Sequence, residues 1–114
     1  MDIGWRAMAV NLSDIAAMGA QPRFAFLNLA VANPDADWLR DFASGLFLLA
    51  ERAGVILAGG DTTQGPLSVT VTVLGEVPRS RALLRSGARV GDLVVASGSL
   101  GDAGADEAGA DGHN

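Results

Sequence analysis

Apolar residues recur at helical spacing in two segments of the chain. Within residues 3–18 they are three or four positions apart, which predicts a mostly buried helix that Gly19 and Pro22 end. The second helix is predicted over residues 38–53, and Gly54 follows it as a left-handed stop. Its apolar positions continue over five turns: Trp38, Leu39, Phe42, Leu46, Leu49, Ala50 and Ala53.

Four segments have the patterns of strands. Residues 23–31 are an almost continuous apolar run, typical of a strand covered on both faces, and residues 55–58 form a short buried strand. Residues 68–73 alternate hydroxyl residues with valines, so one face of that strand is polar and is expected to line a water-filled groove. Residues 93–96 are predicted as a further apolar strand. The order of elements predicts an α+β fold, a mixed or antiparallel sheet with helices packed on one face.

The same pattern divides the chain into three parts. Residues 1–80 form the main domain, and residues 81–102 form a connection and the first strand of a truncated second domain. Residues 103–114 are an acidic tail with nothing bulkier than His113, and we expect them to be disordered.

Composition limits the classes of function. With 114 residues and 49% hydrophobic content, the chain can build one modest core. The absence of cysteine excludes disulfides and thiolate sites, and the start of the chain lacks the pattern of a secretory signal. No apolar run is long enough to span a membrane, so a cytoplasmic protein is expected. The arginines are dispersed rather than clustered with aromatics, which argues against nucleic-acid binding.

Two lone carboxylates are the candidate site residues. Asp14 and Asp61 each lie in an apolar or glycine-rich stretch, and the chain has no lysine to pair with them. Because an unpaired buried charge is costly, a divalent cation shared by the two is the functional interpretation. The structural alternatives are that Ser13 and Asp14 cap a new helical turn, and that Gly59-Gly60-Asp61 is a plain turn between strands.

Other residues indicate which ligands the candidate site could bind. Gly60 and Asp61 could face a phosphate and hold Mg²⁺, since Mg²⁺ prefers a few carboxylates together with substrate phosphates. Arg85 could bind a phosphate with its fork of donors, or it could be a solvated loop arginine. The single histidine, His113, is badly placed for a general base, and a lysine-containing phosphate loop is impossible.

Three stretches, taken together, closely resemble the thiamine-monophosphate kinase family. They are NLSDIAAMGA at 11–20, GGDTTQGPLS at 59–68 and LRSGARVGD at 84–92, in the same order. The resemblance implies the N-terminal domain of the aminoimidazole-ribonucleotide synthetase-like fold, lacking its first strand. It also implies phosphoryl transfer from ATP to thiamine monophosphate, with Asp14 and Asp61 as Mg²⁺ ligands, Gly60, Asp61 and Arg85 as nucleotide contacts, and no catalytic base.

Alternatives within and outside that activity remain open. The chain could belong to a sibling ATP-dependent enzyme, resembling selenophosphate synthetase or the hydrogenase maturation factor. It could also be a non-catalytic dimerisation module, because the superfamily forms homodimers through the sheet of this domain. Segments that the family carries before and after these residues are absent here, which puts the activity of the isolated chain in question.

Overall fold

The computed structural model describes residues 2–101, and the predicted disordered tail lies outside them. Two helices and three strands precede a single turn of 3₁₀ helix. No helix in the described range is long and apolar enough to cross a membrane. The elements are α1 (Asp2–Ala17), β1 (Gln21–Val31), α2 (Ala36–Ala53), β2 (Ile56–Gln64), β3 (Ser68–Glu76) and the 3₁₀ turn (Arg85–Gly87).

The three strands form one mixed sheet with β1 in the centre. Strand β1 pairs in parallel with β2 and antiparallel with β3. Both helices pack on one side of this sheet, which confirms the predicted α+β fold with helices on one face. The buried core lies between the layers and consists of Met8, Ala25, Leu29, Val31, Phe42, Leu46, Ala50, Val55 and Val71.

The opposite side of the sheet is covered by no described element, and we call it the open face. Alternate residues of β1 point to opposite sides. Ala25 and Leu29 are buried under the helices, whereas Phe24 is 44% exposed on the open face. The prediction that this strand is covered on both faces is therefore wrong for the described residues. The two unlike faces predicted for β3 are confirmed, since Val71 is buried and Thr70 exposed.

Helix α2 has the ends that its sequence predicts. The Asp35 side chain accepts a hydrogen bond from the backbone N–H of Asp37, which satisfies one free donor of the first turn. At the other end Gly54 adopts φ 72°, and its N–H donates to the carbonyls of Ala50 and Glu51. The helix is thereby fixed at both ends beneath the sheet.

Two predicted strands need correction. The strand predicted at 55–58 is longer, spans Ile56–Gln64, and is an exposed sheet edge rather than a buried strand, with Ile56 62% exposed. The strand predicted at 93–96 is absent, and its residues are irregular, with Val94 99% exposed. An apolar run of strand length forms a strand only where a partner supplies hydrogen bonds, and no described segment pairs with this one.

Candidate functional site

A polar cavity lies on the open face of the sheet. Asn28 of β1 is the Cα partner of Asp61 on β2 and of Thr70 on β3. The three side chains therefore form a line across the sheet, which we call the polar row. The cavity measures about 310 Å³ and is lined by Asn28, Leu29, Ala30, Asp61, Thr63, Ser68 and Thr70. The polar face predicted for β3 thus lines a groove, through Ser68 and Thr70.

A one-residue shift in strand pairing places Asp61 in this cavity. Leu57 pairs with Ala25 and packs against the core, so strict alternation along β2 would turn Asp61 toward the helices. The register instead skips Ala58, and Gly59 pairs with Phe26. This extra residue changes the side of every later side chain, and Asp61 reaches the open face.

The paired glycines of β2 have different structural roles. Gly60 has φ +145°, and a Cβ atom there would lie 1.8 Å from the Leu27 carbonyl oxygen. A Cβ on Gly59 would make only an ordinary contact, 3.5 Å from the Phe26 ring. The fold itself therefore requires glycine at position 60. The interpretation of Gly-Gly-Asp as a plain turn is wrong, because these residues lie within β2.

A second cavity, of about 490 Å³, lies at the end of α1. Its lining includes Asp14, Met18, Leu83 and Arg85. The N–H of Leu83 donates to the Met18 carbonyl oxygen at 2.9 Å, which ties the segment before the 3₁₀ turn to the helix end. The fold thus brings Asp14 and Arg85, which are far apart in the chain, to one cavity.

The two predicted metal ligands line different cavities, and both side chains are exposed rather than buried. Asp61 lines the cavity on the open face, and Asp14 lines the cavity at the end of α1. Within residues 2–101 no group of three or more His, Cys, Asp or Glu side chains could hold a metal ion. That a single cation is shared by both carboxylates stays a prediction. Each carboxylate has to be considered with its own neighbours.

Asp14 lies where a negative charge is unfavourable. Helix α1 runs unbroken through this residue, so the cap that the alternative interpretation requires is not formed. Its carboxylate belongs to the last turn, where the helix dipole is negative and no basic residue is present. Among the described residues it has neither an ion pair nor a hydrogen bond. A bound cation would relieve this repulsion.

Asp14→Asn is therefore expected to stabilise the metal-free protein while reducing the stabilisation that Mg²⁺ gives it. The gain is about 0.3–1 kcal/mol at low salt, which raises Tm by a few degrees in a domain of this size. Thermal melts with EDTA and with Mg²⁺ measure both effects. A variant less stable than the wild type in EDTA, or one that Mg²⁺ still stabilises equally, would contradict this assignment.

Comparison with known proteins identifies the fold family. Residues 1–77 match the model of the AIR synthase related protein, N-terminal domain. The chain belongs to this family. The fold expected from the resemblance is thereby confirmed, with two helices on a three-stranded mixed sheet.

Individual relatives support the narrower resemblance to thiamine-monophosphate kinases. The chain is 51% identical over 106 residues to thiamine-monophosphate kinase of Escherichia coli (strain K12), covering 91% of this chain and 32% of that protein. It therefore spans about a third of the length of that curated relative.

Two solved structures show the same fold. One is described as AaThiL complexed with AMPPCP and TMP (TM-score 0.84, 30% identity, 98% of this chain and 37% of that one). The other is the hydrogenase maturation protein HypE in complex with ATP (TM-score 0.64, 26% identity, 69% and 26%).

Proposed function

We propose that this chain supplies ATP- and Mg²⁺-binding residues of a thiamine-monophosphate kinase. The reaction is transfer of the γ-phosphoryl group of ATP to thiamine monophosphate, giving thiamine diphosphate and ADP. The observation that carries the proposal is the cavity shared by Asp14 and Arg85, which offers a cation ligand and a phosphate ligand at one place. The relatives support it, because they carry this name and one is a complex with an ATP analogue and TMP. A cytoplasmic location is part of the same proposal.

The donor groups fit Mg²⁺. This ion prefers oxygen ligands and keeps several waters, so it needs only one or two carboxylates besides the substrate phosphates. Asp14 at the end of α1 and Asp61 in the open-face cavity each offer one carboxylate with no competing ion pair among the described residues. When bound, Mg²⁺ neutralises charge on the phosphates.

The side chains of this chain then act mainly by positioning. The Arg85 guanidinium presents planar donors that match phosphate oxygens, and the Asp14 carboxylate beside it attracts the cation. Gly60 contributes backbone groups next to Asp61. No general base is required, because the acceptor is already an anionic phosphate and catalysis is largely positioning and electrostatic stabilisation.

Arg85→Gln is expected to weaken binding of Mg²⁺–AMPPCP by about 10- to 100-fold, the range for losing hydrogen bonds to a charged group. The matched control is Arg89→Gln, four positions along the same segment and outside the cavity lining. It should change affinity less than about twofold. Isothermal titration of each variant measures the difference. Equal affinities of the two variants would contradict the role of Arg85.

A sibling enzyme is the alternative within the family. The likeness to HypE with ATP shows that this fold also occurs in a protein other than a thiamine-monophosphate kinase. The discriminating measurement is saturable binding of thiamine monophosphate in the presence of Mg²⁺–AMPPCP. Binding of the nucleotide without binding of thiamine monophosphate would favour the sibling.

Assembly through the sheet is a second candidate function. Ile56, Phe24 and Leu74 are Cα partners across the three strands, and they form an apolar row on the open face. Their exposures are 62%, 44% and 53% respectively. Strands β2 and β3 are also edges within the described sheet. Exposed apolar surface and unpaired strand edges both favour association, here proposed as a homodimer.

Light scattering at micromolar concentration is expected to show a dimer that Phe24→Glu converts to a monomer. Phe24 belongs to the apolar row, so a charge there would be buried without a partner in the dimer. Val10→Glu is the control, because Val10 is 61% exposed on the helical layer. A wild-type monomer, or a Phe24→Glu dimer, would contradict association through this face.

A further inference from the structure

The polar row contains two side chains to which the proposed function gives no role. Asn28 is the polar residue within the apolar stretch of β1, and it lies between Asp61 and Thr70. Neither Asn28 nor Thr70 makes a side-chain hydrogen bond within the described part of the chain. Both line the cavity that Asp61 lines. Their polar atoms are therefore available to a ligand.

The residues that line this cavity indicate which kind of ligand it can bind. Its lining provides one carboxylate, one carboxamide and the hydroxyls of Thr63, Ser68 and Thr70, and it contains no basic side chain. An anionic phosphate alone would be repelled by Asp61. Carboxylate, carboxamide and hydroxyl oxygens around a single negative charge match a hard divalent cation that retains its water.

We propose that Asn28 positions a hydrated divalent cation at Asp61 by hydrogen-bonding to one of its bound waters, and that Thr70, one strand further along the polar row, hydrogen-bonds to a second water beyond it. This rests on the proposed function, which places a cation at Asp61, and it adds two residues to that site. Neighbouring strands are about 4.8 Å apart. A side chain that accepts a hydrogen bond from a cation's bound water lies at a similar distance from the cation. About 2.1 Å separates Mg²⁺ from the water, and about 2.7 Å separates the water from the acceptor. One hydrated ion can thus bridge Asp61 and Asn28, whereas Thr70 lies two strand spacings from Asp61 and contacts the ion only through a second water.

The polar row and the cavity at Asp14 are made of different residues. The two cavities share no lining residue. Substitutions at Asn28 and Thr70 are therefore expected to change cation binding at Asp61 without changing the residues that surround Arg85.

Mn²⁺ binding to the complete chain, followed by electron paramagnetic resonance, tests this proposal without requiring turnover. Asn28→Leu and Thr70→Val keep the side-chain size and remove the polar atoms, and each should raise the Kd for Mn²⁺ about three- to tenfold. Thr72→Val is the matched control, since Thr72 lies on the same face of β3 but outside the cavity lining. It should leave the Kd unchanged. Asn28→Asp should tighten Mn²⁺ binding, because it adds a second carboxylate beside Asp61.

The outcomes distinguish a cation at Asp61 from a role of the polar row. One outcome is that Asp61→Asn loses a Mn²⁺ site while Asn28→Leu and Thr70→Val leave the Kd for Mn²⁺ unchanged. This outcome would overturn the role of the polar row and leave the cation at Asp61. Absence of any Mn²⁺ site that depends on Asp61 would overturn both. Weakening by Thr72→Val as large as by Thr70→Val would show a general effect on the sheet and would also overturn the proposal.

Discussion

Gly60→Ala is expected to remove β2 from the sheet. A Cβ atom at position 60 would lie 1.8 Å from the Leu27 carbonyl oxygen and 2.8 Å from the Leu27 nitrogen. These are backbone atoms of the central strand, so they cannot move without breaking its pairing. The φ of +145° adds strain for any residue with a side chain. Together the clash and the strain are expected to cost about 2–6 kcal/mol, comparable with the whole stability of a small domain.

Gly59→Ala is the control for this substitution, because it changes the neighbouring glycine in the same strand. A Cβ there would meet the Phe26 ring at 3.5 Å, an ordinary contact. Urea unfolding followed by circular dichroism should show a loss for Gly60→Ala and a change within about 1 kcal/mol for Gly59→Ala. Equal stabilities of the two variants would refute the structural requirement for glycine at position 60.

Gly4→Ala is expected to separate the two helices. Gly4 is buried in α1, and a Cβ there would lie 1.9 Å from the Phe42 carbonyl oxygen and 2.9 Å from the Leu46 nitrogen of α2. The expected change in stability has the opposite sign to that of the same substitution at an exposed helix position. Glycine to alanine at an exposed helix position usually stabilises by about 1 kcal/mol, whereas here overpacking should destabilise by about 1–3 kcal/mol or more.

Thermal and urea unfolding of Gly4→Ala beside Val10→Ala measure this effect. Val10 is 61% exposed on the same helix, so its truncation should change stability by less than about 0.5 kcal/mol. If Gly4→Ala were as stable as the wild type, the close contact between α1 and α2 would be wrong.

The helices are the most predictable part of the fold. The apolar positions of α2 recur at helical spacing, and the residues at its ends, Asp35 and Gly54, form the caps that local rules predict. Such signals are local, so the sequence contains them directly. The strand predicted at 93–96 shows the opposite case, because an apolar run does not specify its partner.

The arrangement of the candidate site is less predictable, because it depends on which strands pair rather than on local sequence. The register shift that skips Ala58 depends on pairing with β1, and the glycine-rich composition of β2 is typical of a turn. The sequence therefore predicted neither that Asp61 lies on an open sheet face nor that Asn28 and Thr70 lie beside it. A weak signal was present, since Asn28 interrupts an apolar run and Thr70 belongs to an alternating strand.

The central claim is that divalent cations mediate nucleotide binding to this chain through Asp14 and Asp61. Isothermal titration of ATP into the protein, with Mg²⁺ and then with EDTA, tests it most directly. We predict saturable binding in Mg²⁺ that EDTA abolishes and that Asp14→Asn and Asp61→Asn each weaken at least tenfold. Binding of equal affinity with and without Mg²⁺, or no binding in Mg²⁺, would contradict the claim.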